Sequence, residues 1–251
     1  MSCVNIRGCR IGEGRPKVIL PIVEYTEAAI LEKAAQFSTL SADCVEWRAD
    51  WFEGFQSPAA IARCVQKLRV ALRDKLLLAT FRTKAESGEQ ALSHPEYLVF
   101  LRLILDTDCA DLLDIEFFTA GADLPKLVEQ AHSAGVAVVC SSHDFAKTPP
   151  RAELVSRMVQ MQQAGADLPK LAVMPRCRSD VLELLAATAE MADLHPETPV
   201  ITMSMGALGA VSRLAGETFG SAMTFANPGQ ASAPGQVSLD IVNEVLNALH
   251  L

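Results

Sequence analysis

Short apolar runs rich in β-branched residues recur along the chain: VILPIV (18–23), CVEWRA (44–49), LLLATF (76–81), LLDIEF (112–117), VAVVCSS (136–142), KLAVMP (170–175), PVITMSM (199–205) and AMTFA (222–226). Each has strand length and strand composition. Between them lie AIARCVQKLRVAL (60–72), PKLVEQAHSAG (125–135), AELVSRMVQMQQAG (152–165) and DVLELLAATAEMA (180–192). These place apolar residues at i, i+3 and i+4, the period of an amphipathic helix, and two of them stop on Gly135 and Gly165 in the manner of helix C-caps. A last helix is expected from Ser238 to about His250.

Strands that alternate with helices imply βαβ units and a parallel sheet. Eight units predict an α/β fold of one closed (β/α)8 TIM barrel, with residues 1–251 as a single domain. An open doubly wound sheet is the alternative, but no GxGxxG follows the first strand and no linker divides the chain. Ahead of the first run, VNIRGCRIGEGRPK (4–17) reads as two short strands around a turn. A barrel is open at its N-terminal end, and this β-hairpin is expected to close that bottom.

Along a barrel strand, side chains point alternately in and out, and the mouth at the strands' C-terminal ends carries the chemistry. In CVEWRAD, Glu46 and Arg48 share one face, with Val45 and Trp47 on the helix side. Leu78, Thr80 and Arg82 share a face in the third strand, as do Ile201, Met203 and Met205 in the seventh, and His143 follows the fifth run. Singly, each charged residue reads as a solvated loop side chain, and Glu46 with Arg48 reads equally as a structural ion pair. Together they converge on one cavity.

Composition narrows the partners. The formal charge is −8 and no cluster of Lys and Arg offers a phosphate-tracking stripe, which argues against nucleic acid. Half of the residues are hydrophobic, ample for a large core, yet no apolar stretch has the length of a membrane span. The seven cysteines are scattered and never spaced as CxxC, which suits neither a disulfide framework nor a zinc site. With MSCVNIRGCR lacking a signal core, the expectation is a cytoplasmic protein with no membrane partner.

The heptad GADLPKL occurs at 121–127 and again at 165–171. In the first copy Asp123 is the expected N-cap and Pro125 lies in the first helical turn, so Lys126 faces solvent. In the second copy Lys170 heads the sixth apolar run, sharing its face with Ala172 and Met174, and projects into the barrel if Leu171 and Val173 face the helices. A lysine desolvated among other cations loses part of its preference for charge, and a neutral amine can add to a ketone or aldehyde to form a Schiff base. The other reading is a strand-end lysine that snorkels to solvent. Of the histidines, His143 alone stands at a strand end beside the lysine's strand, about 4.8 Å away. An imidazole there suits proton transfer near neutral pH.

EWRAD (46–50), TFR (80–82) with Glu86 beyond it, SSHDF (141–145), PKLAVMP (169–175), SRLAG with FGS (212–221) and ASAPGQ (231–236) together resemble the type I 3-dehydroquinate dehydratases of the shikimate pathway. The likeness spans nearly the whole chain. It implies a (β/α)8 barrel, usually a homodimer, that uses no metal and no cofactor and takes the small molecule 3-dehydroquinate to 3-dehydroshikimate and water by syn elimination. By that resemblance Lys170 forms the Schiff base at the C3 ketone. His143 takes a proton from C2 and then protonates the departing C1 hydroxyl, and Glu86 orients His143. Arg213 clamps the substrate carboxylate, Glu46, Arg48 and Arg82 contact its hydroxyl and carboxylate groups, and Ser232 with Gln236 belongs to a lid. Pro21 stands where some relatives carry a serine. Two other functions stay open on the residues alone: a class I aldolase acting on sugar phosphates, and a non-catalytic barrel. The first would want a phosphate nest after the seventh or eighth strand; the second has no use for an amine, a base and an arginine around one cavity.

Overall fold

Strand and helix alternate in the order that the hydrophobic pattern predicts. The computed structural model describes residues 2–228 and 236–251. The chain begins with the strands β1 (Val4–Ile6) and β2 (Cys9–Ile11) and enters the barrel at β3 (Lys17–Ile22). There follow α1 (Glu27–Phe37), β4 (Cys44–Arg48), α2 (Pro58–Leu72), β5 (Leu76–Thr80), α3 (His94–Asp106), β6 (Leu112–Glu116), the short α4 (Phe117–Ala120) and α5 (Leu124–Ser133). The second half runs through β7 (Ala137–Asp144), α6 (Arg151–Gln163), β8 (Leu168–Val173), α7 (Arg178–Leu194), β9 (Ile201–Ser204), α8 (Ala210–Leu214), α9 (Gly216–Phe219), β10 (Met223–Asn227), the two-residue β11 (Val237–Ser238) and α10 (Leu239–Ala248).

The strands pair in parallel in the order β10-β3-β4-β5-β6-β7-β8-β9. A parallel bridge between Val200 and Ser221, with Ala222 N donating to Val200 O at 2.8 Å, joins β9 to β10 and closes the ring. This is the expected (β/α)8 barrel. Both faces of its strands are buried, which is why they read as unbroken apolar runs. Ile19, Cys44, Leu76, Leu112, Val139, Leu168, Ile201 and Met223 fill the interior. Val45, Trp47, Leu77, Leu113, Val138, Leu171 and Val173 pack outward against helix residues such as Leu68, Leu101, Leu127, Met158 and Leu184.

The expected hairpin closes the bottom. Arg7 (φ 49°) and Gly8 (φ 82°) link Ile6 to Cys9, and two positive φ values in a two-residue loop match the right-handed twist of the paired strands. Ile11 is fully buried in the interior cluster, with Val4, Ile6 and Cys9 packed beside it. Gly135 and Gly165 end their helices with φ of 72° and 92°, as their sequence positions predict.

Three expectations shift. Asp123 has helical dihedrals (φ −80°, ψ −12°) and makes no side-chain cap; its carboxylate pairs with His94 Nε2 at 2.9 Å, because Gly121–Asp123 is a 3-10 turn that runs directly into α5. Strand β8 starts at Leu168, so Lys170 is its third residue; Pro169, which cannot donate to a ladder, hid that start. Strand β7 continues through His143 to Asp144, past the apolar run. No described helix is long and apolar enough to cross a membrane.

Candidate active site

At the C-terminal ends of the strands lies a cavity of about 250 Å³ whose lining includes Glu46, Arg48, Arg82, Glu86, His143, Lys170, Arg213 and Gln236. Every expected site residue lies there except Ser232, which falls outside the described residues. The strand register explains the convergence. Lys170 stands opposite Ser141, and His143 opposite Ala172, so the two side chains rise on adjacent strands one step apart toward the mouth.

Lys170 is 2% exposed. Its Nζ sits 3.2 Å from Asp114 Oδ2, 3.7 Å from Glu46 Oε1, and 4.8 Å from the centre of the Phe225 ring. Glu46 is held in turn by Thr80 Oγ1, which donates to it at 3.0 Å. Imidazole and carboxylate meet next to the amine: His143 Nδ1 lies 2.7 Å from Glu86 Oε2, and the His143 backbone N–H donates to the same oxygen at 3.1 Å. Burial pushes the Glu86 carboxyl up to about 8 against the lowering field of Arg82. Burial also holds His143 well below its ordinary value, and Arg82, Lys170 and Arg48 push the same way. A neutral imidazole can accept a proton, and a desolvated amine can add to a carbonyl, so the pair is equipped for imine and proton-transfer chemistry.

The comparisons with known proteins agree with that chemistry. The family model of type I 3-dehydroquinase matches residues 18–251. A 3-dehydroquinate dehydratase of Bacillus licheniformis is 46% identical over 247 residues, covering 98% of this chain and 97% of the relative, and that of Bacillus subtilis is 45% identical over 250 residues, covering 100% and 98%. The crystal structure of a type I 3-dehydroquinate dehydratase from Clostridium difficile with covalently modified comenic acid superposes with a TM-score of 0.96 at 42% identity, covering 99% of this chain and 98% of that one.

The chain belongs to the type I 3-dehydroquinase family. Its activity is that of a hydro-lyase acting on 3-dehydroquinate, and a Schiff base is characteristic of the family. Within this dehydratase barrel, Arg82 is held by three carboxylates and a serine. Its Nη2 pairs with Asp114 Oδ2 at 2.9 Å, and its Nη1 reaches Glu116 at 3.0 Å, Ser141 Oγ at 3.0 Å and Glu86 at 3.4 Å. Burial alone would weaken its charge, but Asp114, Glu116 and Glu86 hold the guanidinium well above its ordinary pKa. Arg48 is clamped by both oxygens of the buried Asp50, at 2.8 and 2.7 Å. Arg213, on α8, is 1% exposed, and burial lowers it to about 10. A guanidinium in so dry a setting favours an anionic ligand.

Four residues that shape the site were not singled out in the sequence. Asp114 and Glu116 come from β6, in LLDIE, where inward alternation would have found them had the run not read as plain apolar filling. Asp50 and Ser141 lie inside the quoted motifs EWRAD and SSHDF, but nothing in the sequence shows which partners they meet. Glycine is required at 88, where a Cβ would fall 1.9 Å from the Arg82 carbonyl oxygen, in a turn where the Glu86 and Gly88 backbone N–H groups both donate to Thr83 O at 3.0 and 2.9 Å.

Proposed function

We propose that Lys170 is the residue through which this dehydratase forms its imine, with the C3 ketone of 3-dehydroquinate as the acceptor. The observation that carries the reading is the buried amine of Lys170 beside the Glu86-held imidazole of His143 in one cavity. The amine adds to the ketone and water leaves, giving an iminium. His143, with Nδ1 turned to Glu86, takes the C2 proton on Nε2, and the C2 electron pair moves into the iminium to give an enamine. The enamine then expels the C1 hydroxyl, which leaves as water with the proton His143 returns in a syn elimination. Hydrolysis of the imine frees 3-dehydroshikimate and restores Lys170.

Arg213 is suited to the substrate carboxylate by its fork geometry and dry surroundings. Glu46, Arg48 and Arg82 are assigned to substrate hydroxyls and carboxylate, and Gln236, with Ser232 beyond the described residues, to the closing lid. Residues 1–251 act as one catalytic domain, working as a homodimer in the cytoplasm. All seven cysteines are free, which supports a reducing compartment.

The test supplies purified protein with 3-dehydroquinate and follows the ultraviolet absorbance of the conjugated product. Light scattering on the same sample reads the assembly. Dehydration that survives Lys170→Ala, or preferential turnover of a sugar phosphate, would overturn the reading.

A further inference from the structure

Asp114 does not line the cavity, yet it touches the amine that does. It is fully buried on β6 and immobilised from two sides: Ser141 Oγ donates to Oδ1 at 2.6 Å, and Arg82 Nη2 pairs with Oδ2 at 2.9 Å. Burial alone would raise its carboxyl, but Arg82 and Lys170 override that and hold it below the ordinary carboxylate range. Asp114 therefore stays ionised beside Lys170 Nζ. Glu46 lies on a second side and the Phe225 ring on a third, and Lys170 lines the same cavity as both of them.

A negative charge fixed 3.2 Å from the nitrogen acts on every species that the nitrogen becomes. When the amine adds to the ketone, the C–N bond forms and the oxygen departs as water, carrying one amine proton and one proton from an acid. The nitrogen keeps its other proton and a positive charge. Loss of that last proton would leave a neutral imine, a much poorer acceptor for the electron pair at C2.

We propose that Asp114 is the counter-ion of the covalent intermediate, holding the Lys170 imine in its protonated form while the proton leaves C2. The inference rests on Lys170 being the residue that forms the imine. Once the electron pair reaches the nitrogen and the enamine is neutral, Oδ2 still has Arg82, so no unpaired buried charge is left behind. Among the described residues, the other charged or titratable groups that share the cavity with this nitrogen are Glu46 and Arg48 from β4, Arg82, Glu86 and Glu89 beyond β5, His143 from β7, and Arg213 from α8.

The experiment compares two reductants across pH 6–9 in the presence of 3-dehydroquinate, with the adduct on the Lys170 peptide read by mass. Cyanoborohydride reduces iminium ions and spares neutral imines, whereas borohydride reduces both, so their ratio reports protonation. In the parent the ratio should hold to pH 9. In Asp114→Asn it should fall as pH rises, by at least about tenfold at pH 9, and Asp114→Glu should restore most of it. A merely structural aspartate would lower both reductions together and leave the ratio unchanged, which would overturn the proposal. Absence of any Lys170 adduct with borohydride in the parent would instead remove the Schiff-base reading beneath it. Should Asp114→Asn not fold, the C=N stretch of the parent intermediate decides: it must shift in D2O at pH 9, and an unshifted band contradicts the proposal.

Discussion

Glu86 Oε2 takes both the ring and the backbone of His143, at 2.7 Å from Nδ1 and 3.1 Å from the main-chain nitrogen. One carboxylate oxygen thus fixes where the imidazole stands, and when Glu86 is ionised it can only accept, which puts the ring hydrogen on Nδ1. With Nδ1–H turned to Glu86, Nε2 keeps a lone pair for the cavity.

A pH dependence follows. The working base needs Glu86 ionised with His143 neutral, and burial raises Glu86 to about 8. Activity should therefore fall as pH drops below about 8, in a step that belongs to the pair rather than to either residue. In Glu86→Gln that limb should move to lower pH. The same shift has a sign in stability. A carboxyl whose folded pKa is raised costs the folded state increasingly as pH climbs from its unfolded value toward 8. Thermal unfolding should then show Glu86→Gln gaining on the parent between pH 5 and pH 9. A difference that is constant with pH would contradict the raised pKa.

Arg213→Ala should lower kcat/KM severely, since one partner of a buried charge pair is worth about 2–5 kcal/mol. Arg73, exposed at the end of α2, is the control, and its alanine variant should change little. Equal losses at both positions would refute the clamp.

Much of this site was legible beforehand because a barrel strand has period two. Glu46 with Arg48, and Lys170 with Ala172, could be set facing inward from alternation alone, and each faces as expected. The cross-strand partners were not legible. Asp114 reaches Lys170 across 56 positions of sequence, and Arg82 reaches Ser141 across 59. Such contacts depend on strand register and tilt, which no local pattern encodes. Strand β11 was missed because two residues carry no periodicity. Asp123 went astray because cap propensity is local, whereas its carboxylate answers to His94 on a neighbouring helix.

The hairpin that closes the barrel's bottom should matter to stability and not to chemistry. Ile11→Ala leaves a void in the interior cluster at the end remote from the cavity, so unfolding should cost about 2–5 kcal/mol less. Chemical denaturation measures the loss, and KM should stay near the parent value. A large change in KM with little loss of stability would mean that the hairpin serves the site.

His143→Ala separates covalent attachment from proton transfer. The variant should still form some reducible adduct, more slowly, while dehydration falls by roughly 10²–10⁴-fold. Near-normal dehydration would assign the base to another group, with Glu86 the nearest candidate at 2.7 Å from the missing ring.

The central claim is that Lys170 carries the substrate. Borohydride added to the protein with 3-dehydroquinate should fix one ligand mass, and peptide mapping should find it on Lys170. The twin lysine Lys126, in the other copy of GADLPKL, should remain unmodified. Labelling of Lys126 in its place, or no stable adduct at all, would contradict the account.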